Sequence, residues 1–209
     1  LKVEGNWEDY LKSRSANLRS SIRRRCKRFA SEGGRLEIVS TTHNIERAIA
    51  DFQAVYSASW KQPEPYPEFV PSLIRCLAGN GSLRLGFARL QDRVIAAQLW
   101  YVWGDKAYIY KAAYHEEFSA FSPGTVLTAH LLRHVIDVDH VSEVDFLIGD
   151  DAYKRGWMSH RRERYGIVAY NPASIVGLAL LAVEIAGRVW KRLRQRYLPA
   201  KLPMKSKED

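Results

Sequence analysis

The sequence predicts a mixed α/β (α+β) chain with a mostly antiparallel sheet flanked by helices. Two observations carry this. Leu83, Leu85 and Phe87 alternate with Arg84 and Gly86, and two further strand-like runs, 94–103 and 106–114, follow the polar turns Gln91-Asp92-Arg93 and Gly104-Asp105. That is the pattern of an antiparallel meander. On either side of it the apolar period becomes helical, through Ile45, Ile49, Phe52 and Tyr56 before and Leu127, Leu131, Val135 and Val138 after. The order is neither strict βαβ alternation nor an all-helical bundle.

The elements follow in turn. A first helix is expected over about 16–31, with Leu18, Ile22, Cys26 and Phe29 as a narrow apolar stripe under a cover of arginines, ended by Gly33-Gly34. A short strand, 36–39, comes next. Asn44 is the expected N-cap of the second helix. The proline-rich stretch 62–71 is a loop or surface arm, and a third helix is expected from about Pro71 to Leu77. After the meander, Pro123-Gly124 opens a helix, 144–148 is short and apolar enough for a buried strand, and a brief helix or turn lies around 151–160. A last strand is expected over 165–170, and Asn171-Pro172 opens a long closing helix by N-cap and N1 proline. The chain is expected to be a single domain over 1–209, closed by a basic amphipathic helix over 172–197.

Composition narrows the classes. The chain has 209 residues, 46% hydrophobic and 26% charged, which excludes a disordered chain and a polytopic membrane protein. It opens at Leu1 into a polar stretch, so it is expected to be the C-terminal part of a longer protein, and residues 1–30 hold no apolar run of secretory-signal length. Cys26 and Cys76 stand outside any CxxC and are expected to be reduced structural thiols of a cytoplasmic protein. The net charge of +9 favours polyanionic partners. The excess sits in two blocks: Arg19, Arg23, Arg24, Arg25, Lys27 and Arg28, then Arg188, Lys191, Arg192, Arg194 and Arg196.

The chemistry is concentrated in 94–157. The turn Ser122-Pro123-Gly124-Thr125 starts a helix whose Gly124, Thr125 and Val126 amides are expected to be free donors, an arrangement that suits a pyrophosphate. Gly124 lets the backbone approach the ligand and Pro123 loses no hydrogen bond at N1. A buried Gln98 must be hydrogen-bonded, either orienting a substrate or tying the sheet together. Tyr108, Tyr110 and Tyr114 share one strand face by their even spacing, lining either an acceptor cleft or a core. Asp145 interrupts an apolar strand and is either a general base or a structural acceptor, with Asp150 and Asp151 just beyond the strand end. Lys154 pairs with a phosphate or with Asp150. His115 and Glu116 are reserve bases. His130 and His134 lie four apart, but Leu131 replaces the glutamate of HExxH and no third ligand is evident, so no metal is expected.

The pieces LRSSIRRRCKRF, ASWK at 58–61, VIAAQL at 94–99, SPGTVL at 122–127 and DFLIGDDAYKRGW at 145–157 resemble the CelD/BcsL-type acetyltransferase group, relatives of the FemAB-like GNAT proteins, over about 17–160. The resemblance implies a GNAT fold with 106–114 as central strand, 144–148 as its splayed neighbour, and the donor's pantetheine arm between them. It implies an N-acyltransferase with acetyl-CoA or another acyl-CoA as donor and a small-molecule or glycan amine as acceptor, in exopolysaccharide or cell-envelope assembly. Ser122, Pro123, Gly124, Thr125, Val126 and Lys154 would hold the donor, and Gln98, Tyr108, Tyr110 and Tyr114 the acceptor. Asp145, Asp150 and Tyr153 would carry the chemistry, Tyr153 as acid. The turn departs from the common GNAT pattern: it has a single glycine and no basic residue. Aminoacyl-tRNA, the donor of FemAB-like proteins, and an acyl-carrier protein are the alternative donors. A non-catalytic scaffold is the alternative from another class. The closing helix is too short and interrupted in its apolar part to span a bilayer. It packs on the core or attaches to an anionic membrane face.

Overall fold

The computed structural model describes residues 1–163 and 165–197. They fall into two compact units, Leu1–Arg161 and the residues from Arg162 on. In the first, strands β1 (Arg35–Val39), β2 (Leu83–Leu90), β3 (Arg93–Trp103), β4 (Lys106–Tyr114) and β5 (Glu143–Asp145) lie side by side in that order. The first four pair antiparallel, and β5 runs parallel to β4. The expected meander is β2–β3–β4. Its first turn holds Gln91 and Asp92 at φ 49° and 65°, left-handed values whose twist matches that of the paired strands.

Both faces of the sheet are covered. Helices α1 (Trp7–Lys12), α2 (Ala16–Ser31) and α5 (Pro123–Asp137) share one core with Trp100, Ile95 and Val144, while α3 (Ile45–Ser57) and α4 (Phe69–Gly79) share the other with Leu85, Phe87 and Leu99. Helix α5 sits directly on β2: a Cβ on Gly86 would stand 2.7 Å from a Leu131 methyl. Helix α2 buries the expected stripe, Ile22 and Phe29 fully and Leu18 and Cys26 in part. It ends where Gly33, at φ 78°, lets the Gly34 amide reach back to the Phe29 carbonyl at 2.9 Å.

Several expectations change. Helix α1 is unforeseen, although Asn6 and Asp9 form a capping box and Trp7, Tyr10 and Leu11 are buried. Asn44 precedes α3 but lies in the left-handed region at φ 54° and its side chain caps nothing. Helix α4 starts at Phe69 because Pro71 falls in the first turn, where no amide is required. The strand expected over 144–148 stops at Asp145. That expected over 165–170 is not formed: these residues have no ladder partner among the described residues, and Ile167 is 97% exposed. A lone extended segment has nowhere to place its backbone bonds except water.

In the second unit, Asn171 makes a turn rather than a cap, its side chain accepting from the Ala173 amide at 3.0 Å. Ser174 caps the closing helix α7 (Ile175–Tyr197) through the Gly177 amide at 3.4 Å. Ile175, Leu178, Ile185, Val189 and Leu193 make an exposed apolar stripe along it. Among the described residues no helix is long and apolar enough to cross a membrane.

Candidate active site

Strands β4 and β5 are paired only at Lys106–Glu143, Ala107–Val144 and Tyr108–Asp145, while β4 continues to Tyr114. The cause is local. The Asp145 carboxylate accepts from the Leu147 amide at 2.7 Å, Leu147 is left-handed at φ 55°, and Gly149 lies at φ 106°. The chain turns off the sheet there, and a wedge opens beside β4 beyond Tyr108. The same stretch of β4 is bulged: Ile109 pairs with Trp100 and Lys111 with Leu99, so Tyr110 has no partner on β3. The bulge also corrects the even-spacing expectation for the tyrosines. Tyr108 stacks on Tyr101 at 4.8 Å and Tyr110 joins it on the α3–α4 core, whereas Tyr114 packs with the α2–α5 core.

Tyr114 leads to the N-terminus of α5. Its ring is the group that a Cβ on Gly124 would meet, at an ordinary 3.6 Å. Ser122 is left-handed (φ 49°), and its carbonyl accepts from the Thr125 amide at 3.0 Å and the Val126 amide at 3.2 Å. Two of the three expected free donors are therefore engaged, because a tight first turn satisfies them internally. The Gly124 amide finds no backbone acceptor among the described residues. Buried Gln98 holds this end of α5 in place, donating to the Gly124 carbonyl at 3.1 Å and the Thr128 hydroxyl at 2.9 Å and accepting from the Trp100 indole at 2.9 Å. Of its two readings, the tie between sheet and helix is the one formed.

The residues after β5 are largely committed to one another. Asp150 pairs with Arg155 at 3.3 Å and Arg161 at 2.9 Å. Lys154 donates to the Ile148 carbonyl at 2.7 Å and pairs with Asp151 at 3.2 Å rather than with Asp150. Tyr153 lies 6.2 Å from Phe146, ring to ring, and is 57% exposed. Desolvation and then the Asp151 charge raise its phenol above the usual range, so it keeps its proton at neutral pH. His115 approaches Glu117 at 3.9 Å. Among the described residues no group of three or more His, Cys, Asp or Glu is arranged to hold a metal ion.

Two sets of residues escaped sequence reasoning. Arg25 of α2 donates to the Thr125 hydroxyl at 2.9 Å, and Arg28 reaches the Ala120 carbonyl at 3.2 Å with its guanidinium over Phe121. The turn without a basic residue of its own thus receives two from α2. The arginine block was the visible signal, but not which arginine would turn inward. On the other face, Glu64 accepts from the Tyr56 hydroxyl and from Lys111 of β4, both at 2.6 Å; at the end of β4, Trp60 lies on Tyr114 at 4.7 Å. Nothing in the spacing of these residues announced their meeting.

A sequence model described as an acetyltransferase (GNAT) domain matches residues 16–155. No curated protein matches the chain. Among solved structures it is similar to FemX, at 14% identity and a TM-score of 0.58, over 75% of this chain and 56% of that one. It is also similar to the aminoglycoside acetyltransferase meta-AAC0020 from an uncultured soil metagenomic sample, at 14% identity and a TM-score of 0.49, over 68% of this chain and 98% of that one. At 14% identity the likeness to FemX is one of fold. The matched segment runs from the arginine helix through the wedge to α6 (Ala152–Trp157), and on that match the chain belongs to the GNAT acetyltransferase domain family.

Proposed function

We propose that this N-acetyltransferase takes its acyl group from acyl-CoA and delivers it to a primary amine, with the wedge between β4 and β5 as donor channel. The observation that carries the reading is the loss of β4–β5 pairing beyond Tyr108–Asp145, together with the α5 N-terminus lying against Tyr114. A pyrophosphate fits the residues present. Gly124 offers an amide and no side chain, and Arg25 brings a guanidinium to the neighbouring Thr125. The thioester supplies an activated acyl carbon. The chain supplies orientation along the bulged strand, where backbone groups of β4 past Tyr108 have lost β5 as a partner and can donate to a developing oxyanion. Tyr153, protonated at neutral pH, is the proposed donor to the leaving sulfur. Lys154 remains a candidate for the donor's phosphates, Tyr108 and Tyr110 for the acceptor, and Asp150 a weaker base candidate, because its carboxylate is paired twice.

Calorimetry with acetyl-CoA and longer acyl-CoAs tests this. Binding is expected for the wild type and a loss of about a hundredfold for Gly124→Glu, roughly 2.7 kcal/mol. A Cβ at this position meets only the Tyr114 ring, at an ordinary 3.6 Å, and a thermal melt of the variant checks that its fold is kept. No binding by the wild type, or equal binding by the variant, removes the CoA reading.

The arginines of α2 favour a second reading, the FemAB-like one, in which the donor is aminoacyl-tRNA. It predicts RNA affinity that falls steeply with salt and disappears when Arg23, Arg24 and Arg25 are neutralised. We also infer that α7, with its apolar stripe and with Arg188, Lys191, Arg192 and Arg194 exposed, attaches the chain to an anionic membrane face, consistent with a role in exopolysaccharide or cell-envelope assembly. Co-sedimentation with anionic vesicles but not zwitterionic ones is the expected result.

A further inference from the structure

The segment after α3 is exposed along 61–69 except at one residue, Glu64. This carboxylate turns inward to β4 from between Pro63 and Pro65, and its side chain retains 23% exposure. It meets Lys111 at the β4 bulge, three positions beyond the last residue paired to β5. The Lys111 ammonium lies 5.4 Å from the centre of the Tyr56 ring and 5.2 Å from that of Tyr110. A carboxylate oxygen and two π-faces around a primary ammonium form a cation-binding arrangement. Both hydrogen bonds to Glu64 fall on Oε1, and no described residue donates to Oε2. The same segment is tied to the donor side through Trp60, whose ring rests on Tyr114, the neighbour of Gly124.

We propose that Glu64 binds the acceptor. Its Oε2 receives a primary ammonium beside Tyr56 and Tyr110, so that the substrate is an amine carried as a cation at neutral pH. This rests on the acyltransferase reading above and assigns its acceptor side. Lys111 positions the carboxylate through Oε1 and leaves the second oxygen turned to the incoming amine.

The test is an NMR titration of the full chain at pH 7 with glucosamine hydrochloride and, separately, N-acetylglucosamine, the same sugar without the charge. The reporter is the Trp60 indole N–H, assigned with Trp60→Phe. A saturable shift with glucosamine is expected, with at least tenfold weaker response to N-acetylglucosamine. Glu64→Gln should lose tenfold or more in glucosamine affinity, and Glu64→Asp should recover part of it. Acetyl-CoA affinity in both variants should stay within twofold of wild type, which also certifies their fold. Equal responses to the two sugars, no saturable response, or wild-type affinity in Glu64→Gln overturns the assignment. The sugar titration needs no donor, so a wild type that binds glucosamine but not acetyl-CoA sinks the CoA reading and leaves this one standing.

Discussion

The two sides of β4 are built by different means. On the α5 side, the features proposed for the donor belong mostly to backbone and core: a helix start, a glycine, a strand that ends early, and a buried glutamine that ties them together. On the α3 side, the proposed acceptor site consists of side chains at the edge of solvent, held by one ion pair and one phenol. A donor common to a family can be met by fixed backbone, whereas an acceptor that differs among members is met by replaceable side chains.

Three measurements would break or sharpen this contrast. The largest effect is expected from Gln98→Leu, which strips the Trp100 indole and the Gly124 carbonyl of their partner in a buried setting. It should lower unfolding stability by about 2–3 kcal/mol in urea, whereas Glu64→Gln should cost about 1 kcal/mol or less. Equal costs would erase the distinction. Next, Arg25→Met should weaken acetyl-CoA binding about fivefold to tenfold, roughly 1–1.4 kcal/mol, and flatten its salt dependence, with little change in stability. If affinity is untouched, the guanidinium serves only to fasten α2 to α5. The smallest effect concerns pH. Lys111 first, then Tyr56, hold the Glu64 carboxyl below its ordinary 4.5. The stability it contributes is therefore complete above pH 4.5 and is lost as pH falls through the lower folded value. Burial alone would lower Lys111, but Glu64 outweighs this and raises it above 10.5, so its share is complete below that pH and fades only above it. The difference in stability between wild type and Glu64→Gln should be flat from pH 5 to 10 and shrink at both ends.

How much was legible follows from how local each feature is. Alternation in β2 to β4 and the helical spacing of α2, α3 and α5 are short-range patterns, and they appear with small shifts at their ends. The wedge was readable as a resemblance, but its cause was not, since an Asp145 turn and a left-handed Leu147 overrule an apolar run that suits a strand. Even spacing failed for Tyr114 because a single bulge inserts one residue and changes which later positions share a face. Arg25 with Thr125 and Glu64 with Lys111 join distant parts of the sequence. Such meetings depend on packing of whole elements, and no periodicity encodes them.

The run Pro63-Glu64-Pro65-Tyr66-Pro67 has a bearing on how this enzyme could change over evolutionary time. Each proline fixes its own φ and restricts the residue before it, so covalent geometry, more than packing, gives the segment its course. The positions between the prolines are therefore free to vary without the sheet having to refold. Substitution at Glu64 would alter the proposed acceptor site at little cost to the scaffold, which makes this position the natural place to start a change of specificity.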